Sequence, residues 1–212
     1  MKTVIYLIRH AKPLSNKYIL KNVEDNYQII NEKQVLSIEG EYQSYKLSLN
    51  SELKNIDLVI SSNYVRAIST AKYIVAENRC AFYIDDNLDE RKIGTEKKEK
   101  SFWLEQMLNE NIKGIDGESQ LEVRSRMLNV INDVLKNHKG KKVALVTHAA
   151  AMTFLLLNWC KLDDVKLEGK RRKISFNNEI IIDDSFNTPE VFKLVFEDDK
   201  IISINRIVLE DL

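Results

Sequence analysis

Val4-Ile5-Tyr6-Leu7-Ile8-Arg9-His10-Ala11 sets the terms for the whole chain. An unbroken apolar run of this length, rich in β-branched and aromatic residues, reads as a strand buried on both faces, and so as a central strand of a parallel sheet. Lys12 and Pro13 break the pattern. The Arg9-His10 pair then falls at the strand's C-terminal end, where open α/β sheets place their sites. Arginine presents a planar, permanently charged fork to phosphate oxygens, and neutral imidazole is a nucleophile near pH 7.

The chain of 212 residues is long enough to bury a full core as one domain. Apolar residues make up 44% and charged residues 30%, the balance of an ordinary globular protein. Lys+Arg and Asp+Glu both number 32, so no global basic field draws the chain to nucleic acid or a membrane. Any anion binding must come from a local patch. Cys80 and Cys160 lie far apart, without CxxC or Cys/His ligand spacing, and read as buried thiols in a reducing cytosol. The apolar run after Lys2 is too short for a signal-peptide core and lacks a small-residue cleavage site. Ala149–Leu157 is interrupted by Thr153 and falls far below the ~20 residues of a membrane span. A cytoplasmic location is the expectation, with no membrane or nucleic-acid partner; oligomeric state is left open.

Along the chain, Lys17–Gln34 is polar and weakly patterned, and its length suggests a lid or binding loop. Ser37 can cap a helix in which Ile38, Tyr42, Tyr45 and Leu49 recur at helical spacing. Ile56–Ile60 reads as a second strand ending in Ser61-Ser62-Asn63, followed by a helix with Ala67, Ala71, Ile74 and Val75 on one stripe. Arg66 lies in that helix's first turn, beside unpaired N–H groups that favour a phosphate. Ala81–Ile84 is a short third strand before the acidic run Asp85, Asp86, Asp89 and Glu90. Lys92–Lys100 reads as an exposed loop, and Phe102–Ile112 as a helix or flap. Ser119 and Glu122 form a capping box that opens a helix buried through Leu121, Met127, Leu128, Ile131, Val134 and Leu135. Lys142–Thr147 is a strand that delivers His148, and an apolar helix, Ala149–Cys160, follows. Ile174–Ile182, Val191–Phe196 and Ile201–Val208 read as three more strands. The run Lys170-Arg171-Arg172-Lys173 reads as a solvated basic turn, in preference to an extension of a phosphate pocket.

Three strand ends thus carry Arg9-His10, Ser61-Ser62 leading to Arg66, and His148. One histidine after a buried strand is usually an ordinary packed residue. Two histidines with two arginines on one sheet edge make a cationic pocket able to enclose a phosphoryl group, with a nucleophile inside.

In these residues the chain resembles the histidine phosphatase superfamily, the phosphoglycerate mutase-like proteins. Leu7-Ile8-Arg9-His10-Ala11 is similar to the arginine-histidine-glycine signature, and Asn16 to the asparagine after it. Leu36-Ser37 with Gly40 and Gln43, Ser61-Ser62 through Arg66-Ala67 and Thr70-Ala71, Leu88-Asp89-Glu90, Gly117-Glu118-Ser119, and Val146-Thr147-His148-Ala149 follow in the family's order. Ala11 and Ala149 stand where the family has glycine. Lys12 reads equally as charge at the pocket mouth or as a solvent-facing residue.

The resemblance implies a three-layer α/β/α fold with a mostly parallel central sheet, in one domain over residues 1–212, with lid segments at 17–34 and 92–118. It implies a phosphomonoester hydrolase working through a phosphohistidine on His10. Arg9, Arg66 and His148 would hold the phosphoryl oxygens with help from Asn16, and Glu90 would act as acid and base. No metal or other cofactor is implied, and the partner is a small phosphorylated metabolite or a phosphorylated protein side chain. A phosphoglycerate mutase and an inactive phospholigand-binding module are the alternatives. The short segment between Glu90 and Gly117 favours the phosphatase over the mutase.

Overall fold

The computed structural model describes residues 1–15, 27–95, 99 and 101–209. Its centre is a six-stranded sheet built from β1 (Lys2–Arg9), β2 (Leu58–Ser61), β3 (Ala81–Ile84), β4 (Lys142–Thr147), β8 (Glu190–Glu197) and β9 (Lys200–Arg206), in the order β3-β2-β4-β1-β8-β9. The first four strands run parallel, while β1–β8 and β8–β9 pair antiparallel.

Alternation along β1 builds both cores at once. Ile5 and Leu7 point to one face, where they meet Val143, Leu145, Met127, Ile131, Phe154 and Leu155. Tyr6 and Ile8 point to the other, against Val59, Ala67, Ala71, Ile74 and Leu47. Helices α5 (Gln120–Asn137) and α6 (Ala149–Leu156) supply the first layer, and α2 (Ile38–Ser48) and α3 (Val65–Asn78) the other. The architecture is α/β, with a mostly parallel central sheet between flanking helices. Two shorter helices, α1 (Tyr27–Lys33) and α4 (Phe102–Leu108), come from the segments expected to form lids; residues 17–26, 96–98 and 100 of those segments lie outside the described residues. No helix among the described residues is long and apolar enough to cross a membrane.

Several expectations are corrected. β1 is central, but it has one parallel and one antiparallel neighbour. The apolar run signals burial on both faces, and the direction of the neighbouring strands leaves no mark in it. The recurring Ile38, Tyr42, Tyr45 and Leu49 of α2 face solvent; Gly40, Gln43, Ser44, Leu47 and Ser48 are its buried side. Leu121 is exposed on α5, whose buried face is Gln120, Val123, Met127, Val130, Ile131, Val134 and Leu135. The capping box of Ser119 and Glu122 is formed at the start of that helix. The run 174–182 is not one strand. Asn177 and Asn178 both have positive φ and turn it into a hairpin of β6 (Arg171–Phe176) and β7 (Glu179–Asp184). The charged segment Lys161–Lys166 adds an edge strand, β5, which completes a separate three-stranded sheet, β5-β6-β7. Cys80 and Cys160 are free and only half-buried.

Candidate active site

The C-terminal ends of β1, β2 and β4 meet side by side. The His10 amide donates to the Thr147 carbonyl at 3.0 Å and the Ser62 amide to the Val146 carbonyl at 2.9 Å, so the three ends are held in register. His10 is 5% exposed and His148 is fully buried. Their ring centroids lie 5.0 Å apart.

Hydrogen-bond partners assign the His10 tautomer. Nδ1 lies 2.7 Å from the Ala11 carbonyl oxygen, which can only accept, so Nδ1 carries the proton. Nε2 keeps its lone pair and accepts from Arg66 Nε at 3.1 Å. Burial, then the charges of Arg66 and Arg9, hold the His10 pKa well below 6.5, against the Ala11 carbonyl, which raises it. The ring is therefore neutral, with its nucleophilic nitrogen directed at the guanidinium that would bind a phosphate.

Arg66 stands between the histidines. Its Nη2 reaches His148 Nδ1 at 3.2 Å and its Nη1 donates to the Asn31 carbonyl. A guanidinium cannot accept, so His148 Nδ1 does, and His148 Nε2–H donates to Ser62 Oγ at 2.9 Å. Ser62 in turn donates to Asp89 Oδ1 at 2.7 Å, and Asp89 also accepts from the Asn63 amide. Burial first, and then the charge of Arg66, lower the His148 pKa. Burial raises that of Asp89 to about 6, despite its hydrogen bonds from Ser62 and Asn63. Asp89, one of the acidic run after β3, is 7% exposed and ends a buried chain running back to Arg66.

Arg9 Nη1 donates to the Phe186 and Asn187 carbonyls at 2.8 and 2.9 Å, while its Nε is buried without a hydrogen-bond partner among the described residues. Glu90 lies at the N-terminal end of α6. Its Oε1 accepts from the Ala151 and Arg91 amides at 3.0 and 2.9 Å, and its Oε2 from the Ala150 amide at 3.3 Å. The carboxylate is thereby oriented by the first turn of the helix. Asn16 lies outside the described residues.

These groups open on a cavity of about 440 Å³. His10, Arg9, Arg66 and Glu90 line it; His148 does not, because it sits behind Arg66. Glu90 is the only carboxylate among the described residues of the wall. Arg91, Lys170 and Arg172 also face the cavity, which corrects the reading of 170–173 as a solvated turn. Arg172 is 4% exposed. The alternation of β6 puts it on the same inner side as Ile174, a signal available in the sequence once the strand is known to start at Arg171. Lys12 points to solvent and pairs with Glu39.

The loop after His10 is held by the residues that carried the resemblance. The Ser37 amide and hydroxyl donate to the Lys12 carbonyl at 3.0 and 3.2 Å, and Gln43 Oε1 accepts from the Lys12 amide at 3.1 Å. A Cβ on Gly40 would stand 2.0 Å from the Lys12 carbonyl oxygen, so only glycine lets α2 dock there. Thr70 Oγ1 accepts from the Ala11 amide at 3.0 Å. Neither Ala11 nor Ala149 has positive φ, so the backbone at both places accepts a methyl group. Among the described residues no group of three or more His, Cys, Asp or Glu side chains converges as a metal site.

The sequence model of the histidine phosphatase superfamily (branch 1) matches residues 5–178. A probable phosphoglycerate mutase, GpmB, from Escherichia fergusonii is 27% identical over 163 residues, covering 72% of each chain. Among solved structures, a mycobacterial glucosyl-3-phosphoglycerate phosphatase superposes with a TM-score of 0.66 at 15% identity, covering 98% of both chains. Bacillus stearothermophilus YhfR does so with a TM-score of 0.67 at 17% identity, covering 98% of this chain and 96% of its own. With the match extending over most of its length, the chain belongs to the histidine phosphatase superfamily, branch 1.

Proposed function

We propose that the protein is a phosphatase that hydrolyses a phosphomonoester through a phosphohistidine on His10. The observation that carries this reading is the His10 ring itself, with Nδ1–H pinned by the Ala11 carbonyl and the Nε2 lone pair beside Arg66 at the cavity wall. The entering phosphoryl group displaces the Arg66–His10 hydrogen bond and takes the guanidinium for its own oxygens. Nε2 attacks phosphorus in line, the ester P–O bond breaks, and Glu90, as the carboxylic acid, protonates the leaving oxygen. Glu90 then takes a proton from water, whose oxygen attacks phosphorus as the N–P bond breaks, releasing inorganic phosphate. Arg9 and Arg66 stabilise the equatorial oxygens, and His148 holds Arg66 in place and can accept a proton as negative charge arrives. Asn31 and Gln34 from one expected lid, and Ile93 and Trp103 from the other, border the cavity and support a covering role for both segments. Two free thiols suit a reducing cytoplasm.

The mutase name of the curated relatives supports a second reading, return of the phosphoryl group to the substrate. One experiment separates the readings. Hydrolysis of p-nitrophenyl phosphate in the presence of EDTA, inhibited by vanadate and lost in His10→Ala, is expected, with acid-labile phosphate trapped on the wild-type chain. Isomerisation of 3-phosphoglycerate without release of phosphate would establish the mutase. No turnover of any phosphomonoester, with phosphate still bound, would leave a binding module.

A further inference from the structure

Arg9 faces a buried acid without pairing to it. In the register of β1 with β8 it stands directly opposite Glu190, and opposed residues of an antiparallel pair share a face, with Cβ atoms about 5 Å apart. Glu190 is 3% exposed, and a buried carboxylate needs a cation close by. Arg9 nevertheless spends its Nη1 on the Phe186 and Asn187 carbonyls, and its Nε has no partner among the described residues.

Arg206 holds Glu190 instead. Its Nε and Nη2 donate to the two carboxylate oxygens at 2.8 and 2.7 Å, the parallel fork of a strong ion pair. Its Nη1 donates to Asp184 Oδ2 at 2.8 Å, so the guanidinium is anchored from β7 as well as from β8. Arg206 stands opposite Phe192, two residues along β8 from Glu190 and on the same face. Arg9, Glu190 and Arg206 thus form one row across three strands. Glu190 Oε2 also accepts from the Asn187 amide at 3.1 Å, and Asn187 carries one of the carbonyls that orient Arg9. Burial draws the Arg9 pKa down, and the charges of Glu90 and Glu190 oppose that. Glu190 therefore supports the charge on Arg9 without occupying it. Glu190, Arg206, Asp184 and Asn187 all lie past residue 178, where the family match ends.

We propose that Arg206 is a positioning residue: it holds the Glu190 carboxylate off Arg9, so that the Arg9 guanidinium stays available to a phosphoryl group. This rests on the reading of Arg9 as a phosphate ligand. With Arg206 gone, the next cation on the row is Arg9, and its unpartnered Nε gives Glu190 a place to bind.

Calorimetric binding of inorganic phosphate tests this, in parallel with kcat/KM on p-nitrophenyl phosphate. Arg206→Gln should weaken phosphate binding and lower kcat/KM, each by about tenfold or more, through the released carboxylate. Removing that carboxylate as well should restore both: the Arg206→Gln/Glu190→Gln double variant is expected within about threefold of the wild type. The amide oxygen introduced by Glu190→Gln can still accept from Asn187, so the loop keeps its tether. A purely structural role for the ion pair predicts the opposite, a double variant at least as impaired as the single one. Should Arg206→Gln fail to fold, by circular dichroism, Arg206→Lys replaces it in both variants. An ammonium cannot grip the carboxylate as a fork, and a loss of about threefold, recovered by Glu190→Gln, is then expected. Phosphate binding unchanged by the Arg206 substitution overturns the proposal, as does a double variant no better than the single one. If the loss and recovery appear in phosphate binding but nothing is hydrolysed, only the phosphatase reading falls. If hydrolysis is normal and the recovery is missing, only the role of Arg206 falls. A wild type that binds no phosphate removes both.

Discussion

At the residue scale, the site works by hydrogen-bond assignment. A carbonyl on one side of His10 and a guanidinium on the other leave it a single tautomer, the one the proposed nucleophile needs. His148 is fixed the same way, by Arg66 and by Ser62, whose hydroxyl is oriented in turn by Asp89. Ser62→Ala should strand the buried His148 Nε2–H and the Asp89 carboxyl, lowering stability by about 1–3 kcal/mol. It should also loosen Arg66 and lower kcat on p-nitrophenyl phosphate by about tenfold; urea unfolding and steady-state kinetics measure the two effects. Unchanged kinetics would mean that Arg66 is held without this chain. His10, Arg9, Arg66 and His148 were legible because each stands at or just beyond the end of a recognisable element. Asp89 and Arg172 were not, because an acid or a base in a charged run becomes a buried, working group only through partners elsewhere in the chain. Ser62 is that partner for Asp89, and Phe186 and Thr153 are for Arg172.

At the element scale, α2 shows why periodicity can mark a helix and still mislead about its face. Its apolar stripe is exposed, since the opposite side has a more demanding task, docking on the backbone that follows His10. That task needs a glycine, a glutamine and serines, none of which a hydrophobicity pattern can highlight. Gly40→Ala should be disproportionately damaging for one methyl group. The Lys12 carbonyl has to move, and a cost of about 1–3 kcal/mol is expected from the forced backbone shift. Because Lys12 is two residues from His10, kcat/KM should fall together with the unfolding midpoint. Ser119→Ala serves as the contrast. It removes an N-cap from α5, for a loss of about 1 kcal/mol, and should leave the kinetics unchanged.

At the scale of the whole molecule, the buried histidines tie stability to pH. Both have pKa values below the ordinary 6.5, so below that pH the unfolded chain takes up two protons that the folded chain refuses. Asp89, raised to about 6, opposes them with one proton held in the fold. The balance between about pH 5 and pH 6 is one extra proton on the unfolded side, so stability rises with pH there by roughly 1.4 kcal/mol per unit. Urea unfolding of His10→Gln, in which only one histidine proton opposes the carboxyl proton, should show this slope nearly abolished. A slope equal to that of the wild type would contradict the assignment. The layered α/β plan itself could be read in advance, because strands buried on both faces demand helices on both. The reversed direction of β8 and the extra β5-β6-β7 sheet could not, since pairing direction is decided by how the chain returns.

That return has a consequence for how the protein is made. β1 emerges first during synthesis, yet its two neighbours, β4 and β8, begin only at Lys142 and Glu190. This central apolar strand must therefore wait with both edges unpaired until Lys142–Thr147 has left the ribosome, and with one edge unpaired until Glu190–Glu197 follows. Stalled chains ending before Glu190 are expected to be protease-sensitive and to bind holdase chaperones, whereas the chain of 212 residues should resist both. A released fragment of residues 1–188 that unfolds cooperatively in urea would show that β1 can be sheltered without β8.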